Sequence, residues 1–300
     1  MNVPLATTPH LEIAYEERNP RANDVIVLVH GFPDDARTWD ALLAREPFAH
    51  ARTIVPWLRG FGETRFRDAG TPRQAHASAL ARDVVDLLDA LGIERCTLVG
   101  HDWGARASYG AAVLAPERIA ALVALGVGYG TNVPGQTLSY AQAQAYWYQW
   151  YFATSRGEAA LRDDARGLCR HLWQTWSPSW TFTGAEYERT ALSFATPDFA
   201  KIVTHSYRHR WGFAHADLGD PRAADDDRRL GALPSIDVPT LVLHGAQDGA
   251  TLLEATEGRE DSFAAYYERV IVPGAGHFVQ REAPQAVAAA YASFRKRLQG

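Results

Sequence analysis

Residues 25–31, VIVLVHG, form a run of aliphatic, mostly β-branched side chains that ends at a glycine. That is the pattern of a strand buried on both faces of a parallel sheet. ARTIVPWLRG (51–60), CTLVGHD (96–102) and ALVALGVG (121–128) share the form, and TLVLHGAQD (240–248) and YERVIVPGAGH (267–277) return to it much later. Before the third run, Leu80, Val84, Leu87, Leu88 and Leu91 fall at helical spacing, with Arg82, Asp83, Asp86 and Asp89 on other faces and Gly92 as the stop. Buried strands separated by helices need crossover connections rather than hairpins. The pattern therefore predicts an α/β chain with a mostly parallel central sheet flanked by helices on both sides.

The gap in the strand rhythm is equally informative. Residues 130–232 hold six of the nine tryptophans, including AYWYQWYF, with helical patterns and no buried strand run. The simplest organisation is a core built from 1–129 and 234–300, interrupted by a helical cap over 130–233. A closing helix carries Val287, Tyr291, Phe294 and Leu298 on one face. A hydrophobic content of 47% predicts a substantial core. The net charge of −5, a pI near 6.1 and the lack of a basic run argue against a nucleic-acid partner. No signal-like segment opens the chain, and the longest apolar run, Ile119 to Val127, is too short to span a bilayer. Cys96 and Cys169 lack metal-ligand spacing and are expected to be buried, reduced thiols. The expectation is a cytoplasmic protein with a small-molecule substrate, no membrane or nucleic-acid partner, and a homodimer left open.

In an open parallel sheet, chemistry collects where strands end and helices begin. Four strand ends qualify here: His30, Gly31, Phe32 and Pro33 in VHGFP; Asp102 in VGHDWGA; Asp248 in LHGAQD; and His277 in VPGAGHF. Asp102 has two readings. It could cap the helix that follows, WGARASYGAAVL. Or it could be a nucleophile on a sharp strand-to-helix turn, where Gly100 and Gly104 make room for neighbouring chains. In the second case the backbone N–H groups of Phe32 and Trp103 form an oxyanion hole. Asp248 and His277 downstream favour the nucleophile, because nucleophile, acid, histidine is a known hydrolase order.

HGFP, RGFGET, GHDWGA and GHFVQREAP together resemble motifs of α/β-hydrolases of the epoxide hydrolase and haloalkane dehalogenase branch, whose nucleophile is aspartate. The resemblance covers nearly the whole chain, most strongly 25–128 and 237–297. It implies the α/β-hydrolase fold with an inserted helical cap, and a covalent ester on Asp102. Water activated by His277, itself oriented by Asp248, then hydrolyses that ester. The resemblance implies no cofactor and no metal. One departure is Trp57, where the family often has aspartate, and it is read as structural.

Epoxide hydrolases of this branch also carry two cap tyrosines. WYQWYF (147–152) resembles the first site at Tyr148, with Tyr146 and Tyr151 close enough to compete, and HSYRHRW (205–211) resembles the second at Tyr207. Phe32, Trp103, Trp150 and Tyr151 are the expected substrate contacts, and the aromatic cap suggests a bulky apolar or aromatic substrate. A haloalkane or haloacid dehalogenase using the same aspartate is the alternative. The Trp103 indole could hold a halide, but both branches share it. Phe32 stands where haloalkane dehalogenases usually have asparagine. Fluoroacetate dehalogenases resemble the chain at Arg106 and Tyr207, yet need an arginine where Trp103 stands. A binding protein that keeps the hydrolase fold is a third reading. His205 and His209 have chelating spacing but no third ligand, and are read as surface or cap-interface residues. The sequence thus points to epoxide hydrolysis.

Overall fold

The structure, a computed structural model, describes residues 3–133, 135–217 and 220–299. The six apolar runs become β3 (Val25–Val29), β4 (Arg52–Pro56), β6 (Cys96–His101), β7 (Ile119–Leu125), β8 (Thr240–Gly245) and β9 (Tyr267–Val272). These pair in parallel in the order β4-β3-β6-β7-β8-β9. Every residue of β6 and β8 is buried, as expected of strands covered by helices on both faces. Three strands outside the sequence reading extend the β4 edge: β1 (Leu5–Thr7), β2 (Leu11–Arg18) and β5 (Arg65–Phe66). β2 pairs antiparallel with β1, β4 and β5.

The core helices are α1 (Asp40–Leu43), α2 (Ala77–Ala90), α3 (Trp103–Leu114), α10 (Val279–Glu282) and α11 (Pro284–Gln299). Leu80, Val84, Leu87 and Leu88 of the expected stripe are buried on α2, as are Asp83 and Asp86, while Leu91 is half-buried at its end. Gly92 follows at φ 60°, a left-handed stop that other residues adopt only with strain. On α11, Val287, Tyr291 and Phe294 are buried, whereas Leu298 is exposed near the chain end.

Between β7 and β8 the described residues form helices and no strand: α4 (Tyr140–Ala145), α5 (Trp147–Ala153), α6 (Ser155–Trp176), α7 (Gly184–Ala191), α8 (Phe199–Arg210) and α9 (Pro221–Gly231). Side-chain oxygens of Ser139, Thr154, Thr183 and Asp220 cap four of them. Among the described residues no helix is long and apolar enough to cross a membrane.

One buried arginine ties this helical insert to the core. Arg281 on α10 makes two bonds to Asp34, at 2.6 and 2.9 Å, and further bonds to Glu186 and Thr190 of α7. Its guanidinium also lies 4.7 Å from the Trp173 ring centre. Arg281→Met leaves the Asp34 carboxylate buried and unpaired. Equilibrium urea unfolding is therefore expected to lose about 3–5 kcal/mol. A loss below about 1 kcal/mol, the range of an exposed pair, would contradict this account of the tie.

Candidate active site

Asp102 sits between β6 and α3 at φ 49°, ψ −111°, a conformation that L residues adopt only under strain. Its side chain makes no capping bond to α3. Instead Oδ1 accepts the Phe32 backbone N–H at 3.0 Å. The surrounding glycines have a steric reason. A Cβ on Gly104 would stand 1.9 Å from the Val29 carbonyl oxygen, and one on Gly100 2.3 Å from that of Gly104. A Cβ on Gly31 would meet the Asp102 Cβ at 2.5 Å. Trp103 occupies the first position of α3, where backbone N–H groups lack helical partners. Its amide makes no bond to the Asp102 carboxylate in this conformation.

The loops after β8 and β9 bring Asp248 and His277 to the same place. His277 Nδ1 lies 2.8 Å from Asp248 Oδ2, and Nε2 lies 3.9 Å from Asp102 Oδ2. With Nδ1 carrying the proton, as its bond to a carboxylate requires, Nε2 offers a lone pair toward the aspartate. Nε2 is buried and has no hydrogen-bond partner among the described residues. Burial alone would lower the His277 pKa, but the Asp248 charge and hydrogen bond overturn that and raise it. Burial would likewise raise Asp248. Its histidine neighbours instead hold the carboxyl well below the ordinary range, and the backbone N–H groups of Ala250 and Thr251 donate to its Oδ1, both at 2.8 Å.

Tyr148 on α5 and Tyr207 on α8 meet edge to face, ring centres 5.4 Å apart. Each phenol oxygen accepts an N–H: Tyr207 from the Trp103 indole at 3.2 Å, Tyr148 from the Gln149 amide at 2.8 Å. Each phenol thus keeps its proton, and the Tyr148 hydroxyl also bonds toward Tyr207. Burial raises both phenols well above their ordinary pKa, and the Asp102 charge adds to it, so both stay protonated. The competing tyrosines engage other partners, although the Tyr146 ring meets that of Tyr148 edge to face. Tyr146 accepts from Asn132 Nδ2 at 3.2 Å, and Tyr151 packs on Trp147 and Phe152.

The aromatic wall differs in part from the expected contacts. Phe32 is ringed by Trp103, Phe152, Trp176, Phe199 and Tyr207 at centre distances of 5.6–6.2 Å. Trp150 is not part of this ring. Its ring lies tilted against that of Trp211, centres 4.6 Å apart, and its indole N–H donates to the Ala143 carbonyl. The reason is helical geometry. Tyr148 and Phe152 share one face of α5, and Trp150, two residues from each, projects from the other. Tyr151 touches the cluster only through Phe152.

With the geometry in place, the comparisons with known proteins decide the family. The chain matches the profile of the alpha/beta hydrolase fold over residues 24–284. It belongs to the α/β-hydrolase family. A crystal structure from Klebsiella pneumoniae, provisionally assigned as an epoxide hydrolase, superposes with a TM-score of 0.90 at 34% identity, covering 98% of this chain and 97% of that one. Epoxide hydrolase A of Mycobacterium tuberculosis is 27% identical over 97% of this chain and 96% of its own length. Human epoxide hydrolase 4 is 25% identical over 92% of this chain and 74% of its own. The protein is an epoxide-hydrolase-like α/β-hydrolase.

Several residues around this hydrolase site escaped the sequence reading. His244, four residues before Asp248, lies 3.3 Å from its Oδ2 and bonds Thr251 and Thr256. Glu282 accepts the backbone N–H groups of Gly276 and Phe278 and the Ser177 hydroxyl, and so pins the loop that carries His277. The Trp176 carbonyl accepts the His277 N–H, and its ring lies 5.0 Å from the imidazole. The LHGAQD motif contains the His244 signal; nothing in the sequence links Trp176 to His277, which lies a hundred residues away. Trp57 has a structural place, with its indole donating to Ser193 at 3.2 Å. Cys96 and Cys169 are free and buried. His205 and His209 stack on each other, and His76 lies tilted against both.

Proposed function

We propose that this hydrolase opens an epoxide to a vicinal diol through a covalent ester on Asp102. The Phe32 bond reserves Oδ1 for the oxyanion hole, so Oδ2 attacks the epoxide carbon. The carbon–oxygen bond of the ring breaks, and the departing oxygen takes a proton from the Tyr148–Tyr207 pair. His277 Nε2 then removes a proton from water as that water adds to the Asp102 carbonyl carbon. Phe32 and Trp103 N–H groups hold the tetrahedral oxyanion. Its collapse releases the diol and restores the carboxylate, and the proton held by His277 returns through solvent to the phenolate. Asp248 fixes the imidazole and stabilises it while charged. The segment 130–233 acts as a lid, since it supplies both phenols and much of the aromatic wall.

The observation that carries this reading is the pair of protonated phenols facing each other beside the nucleophile, each with its oxygen already accepting an N–H. An epoxide oxygen stays on the product and needs a proton, and phenols supply it. A halide needs N–H donors. The Trp103 indole, the natural one, is engaged by Tyr207, which disfavours the dehalogenase reading. The aromatic cluster suits an apolar or aromatic group next to the epoxide.

Tyr207→Phe removes one of two proton donors. Single-turnover ester formation is expected to slow about 10²-fold, the scale of losing one oxyanion donor, while ester hydrolysis changes little. Parallel assays of diol formation and halide release over a substrate panel test the reaction class. Halide release without diol formation from any epoxide would replace this reading with the dehalogenase one.

A further inference from the structure

Gln149 is buried on α5 and joins the end of α8 to the phenol pair. Its Oε1 accepts the Trp211 indole N–H at 2.9 Å and an Arg210 Nη1 proton at 3.4 Å, while its Nε2 donates to the Tyr148 oxygen at 2.8 Å. Only one orientation of the amide satisfies these partners. Indole and guanidinium can only donate, so the amide oxygen must face them and the NH2 group must face the phenol. Trp211 is itself fixed. It ends α8, where Gly212 at φ 76° turns the chain and the N–H groups of Gly212 and Phe213 return to the His209 and Arg208 carbonyls. Its ring rests against those of Trp150 and Tyr146, centres 4.6 and 6.2 Å away.

These donors give the two phenols different parts. With its oxygen engaged by Gln149, Tyr148 directs its own proton toward Tyr207. The Tyr207 oxygen then accepts twice, from Tyr148 and from the Trp103 indole at 3.2 Å. Both of its lone pairs are used, and its hydroxyl proton is the one left for an outside acceptor. A phenolate formed there keeps both hydrogen bonds, each strengthened by the charge. The Arg210 guanidinium, 4.8 Å from the Tyr207 ring centre, places a cation beside it.

We infer that Gln149 is a positioning residue for epoxide protonation: held by Trp211 and Arg210, its amide aims the Tyr148 proton at Tyr207, so that the proton delivered is that of Tyr207. This role rests on Asp102 opening an epoxide. As Asp102 Oδ2 bonds to the ring carbon and the carbon–oxygen bond breaks, the oxygen takes the Tyr207 proton and leaves a phenolate on that residue. Tyr148 keeps its proton and steadies the phenolate. Gln149 touches no reacting atom and acts through Tyr148.

The test follows ester formation and ester hydrolysis separately, in single turnovers of styrene oxide by the full chain. In Gln149→Glu one carboxylate oxygen still faces Trp211 and Arg210. The other can only accept, so it captures the Tyr148 proton and strips Tyr207 of that bond. Ester formation is expected to slow about 10- to 100-fold, the range of a hydrogen bond to a charged group, with hydrolysis unchanged. Gln149→Met, which offers no donor, should slow ester formation about fivefold, the scale of a neutral hydrogen bond. In a Tyr148→Phe background the same substitution should have no effect, because the amide acts through that hydroxyl. A loss of equal size with and without the Tyr148 hydroxyl, or equal slowing of both steps, means packing alone and overturns the inference. Native rates of ester formation in both variants overturn it too, and leave epoxide opening at Asp102 intact. Should Gln149→Glu fail to fold, the Gln149→Met comparison decides. If His277→Gln traps no ester on Asp102 with any epoxide, the reaction itself is wrong and the role of Gln149 falls with it.

Discussion

Replacing His277 by glutamine is expected to leave the enzyme stalled as an ester. Asp102 and both phenols remain, so the first half of the reaction proceeds and the protein gains the mass of one epoxide. Loss of the base slows ester hydrolysis by about 10²–10⁴-fold, long enough for intact-mass spectrometry to detect the adduct and for a peptide map to place it on Asp102. If no adduct forms with any epoxide or haloalkane, nucleophilic attack by Asp102 is wrong and the binding-protein reading takes its place. The pH dependence carries a further expectation. In the free enzyme the charges of Asp248 and Asp102 both raise the His277 pKa. Forming the ester neutralises Asp102 and removes one of these causes. A raised histidine is protonated, and useless as a base, below its pKa. The acid limb of single-turnover hydrolysis should therefore lie at lower pH than the His277 titration followed by NMR in the free enzyme.

Substitution of Asp102 should separate the two meanings that a GxDxG segment can have. As nucleophile, its loss in Asp102→Ala lowers diol formation by about five to six orders of magnitude, the scale of deleting a covalent nucleophile. Asp102→Gly adds a stability test. A capping aspartate replaced by glycine loses a few tenths of a kcal/mol. An aspartate held at φ 49° without a capping bond should instead relax, and unfolding free energy should rise by about 1 kcal/mol as the strain disappears. An inactive protein that is also more stable is the expected outcome. Full turnover by Asp102→Ala would sink the mechanism.

How much of this was legible beforehand can be followed residue by residue. The buried strands were readable because an apolar run bounded by glycine and helical spacing is a local pattern. β2 escaped notice because LEIAYEER, though paired on both sides, has mixed burial and no continuous apolar run. Asp102, Asp248 and His277 stand at strand ends in a recognisable order, so their convergence could be expected from topology alone. The choice among Tyr146, Tyr148 and Tyr151 could not. It depends on how α5 rolls against α8, which turns Tyr148 and Phe152 toward Tyr207 and sends Trp150 to Trp211.

The same division separates the reacting centre from its surroundings. The sequence by itself determined the fold class and placed Asp102, Asp248 and His277, the proposed nucleophile, acid and base, at strand ends, because strand order and sharp turns are written in short contiguous motifs. Only the tertiary structure decided that the Asp102 side chain faces Phe32 rather than the end of α3, and that Trp103 and Gln149 each donate to a phenol. Each of these contacts joins elements distant along the chain, or depends on a side-chain direction that periodicity does not encode.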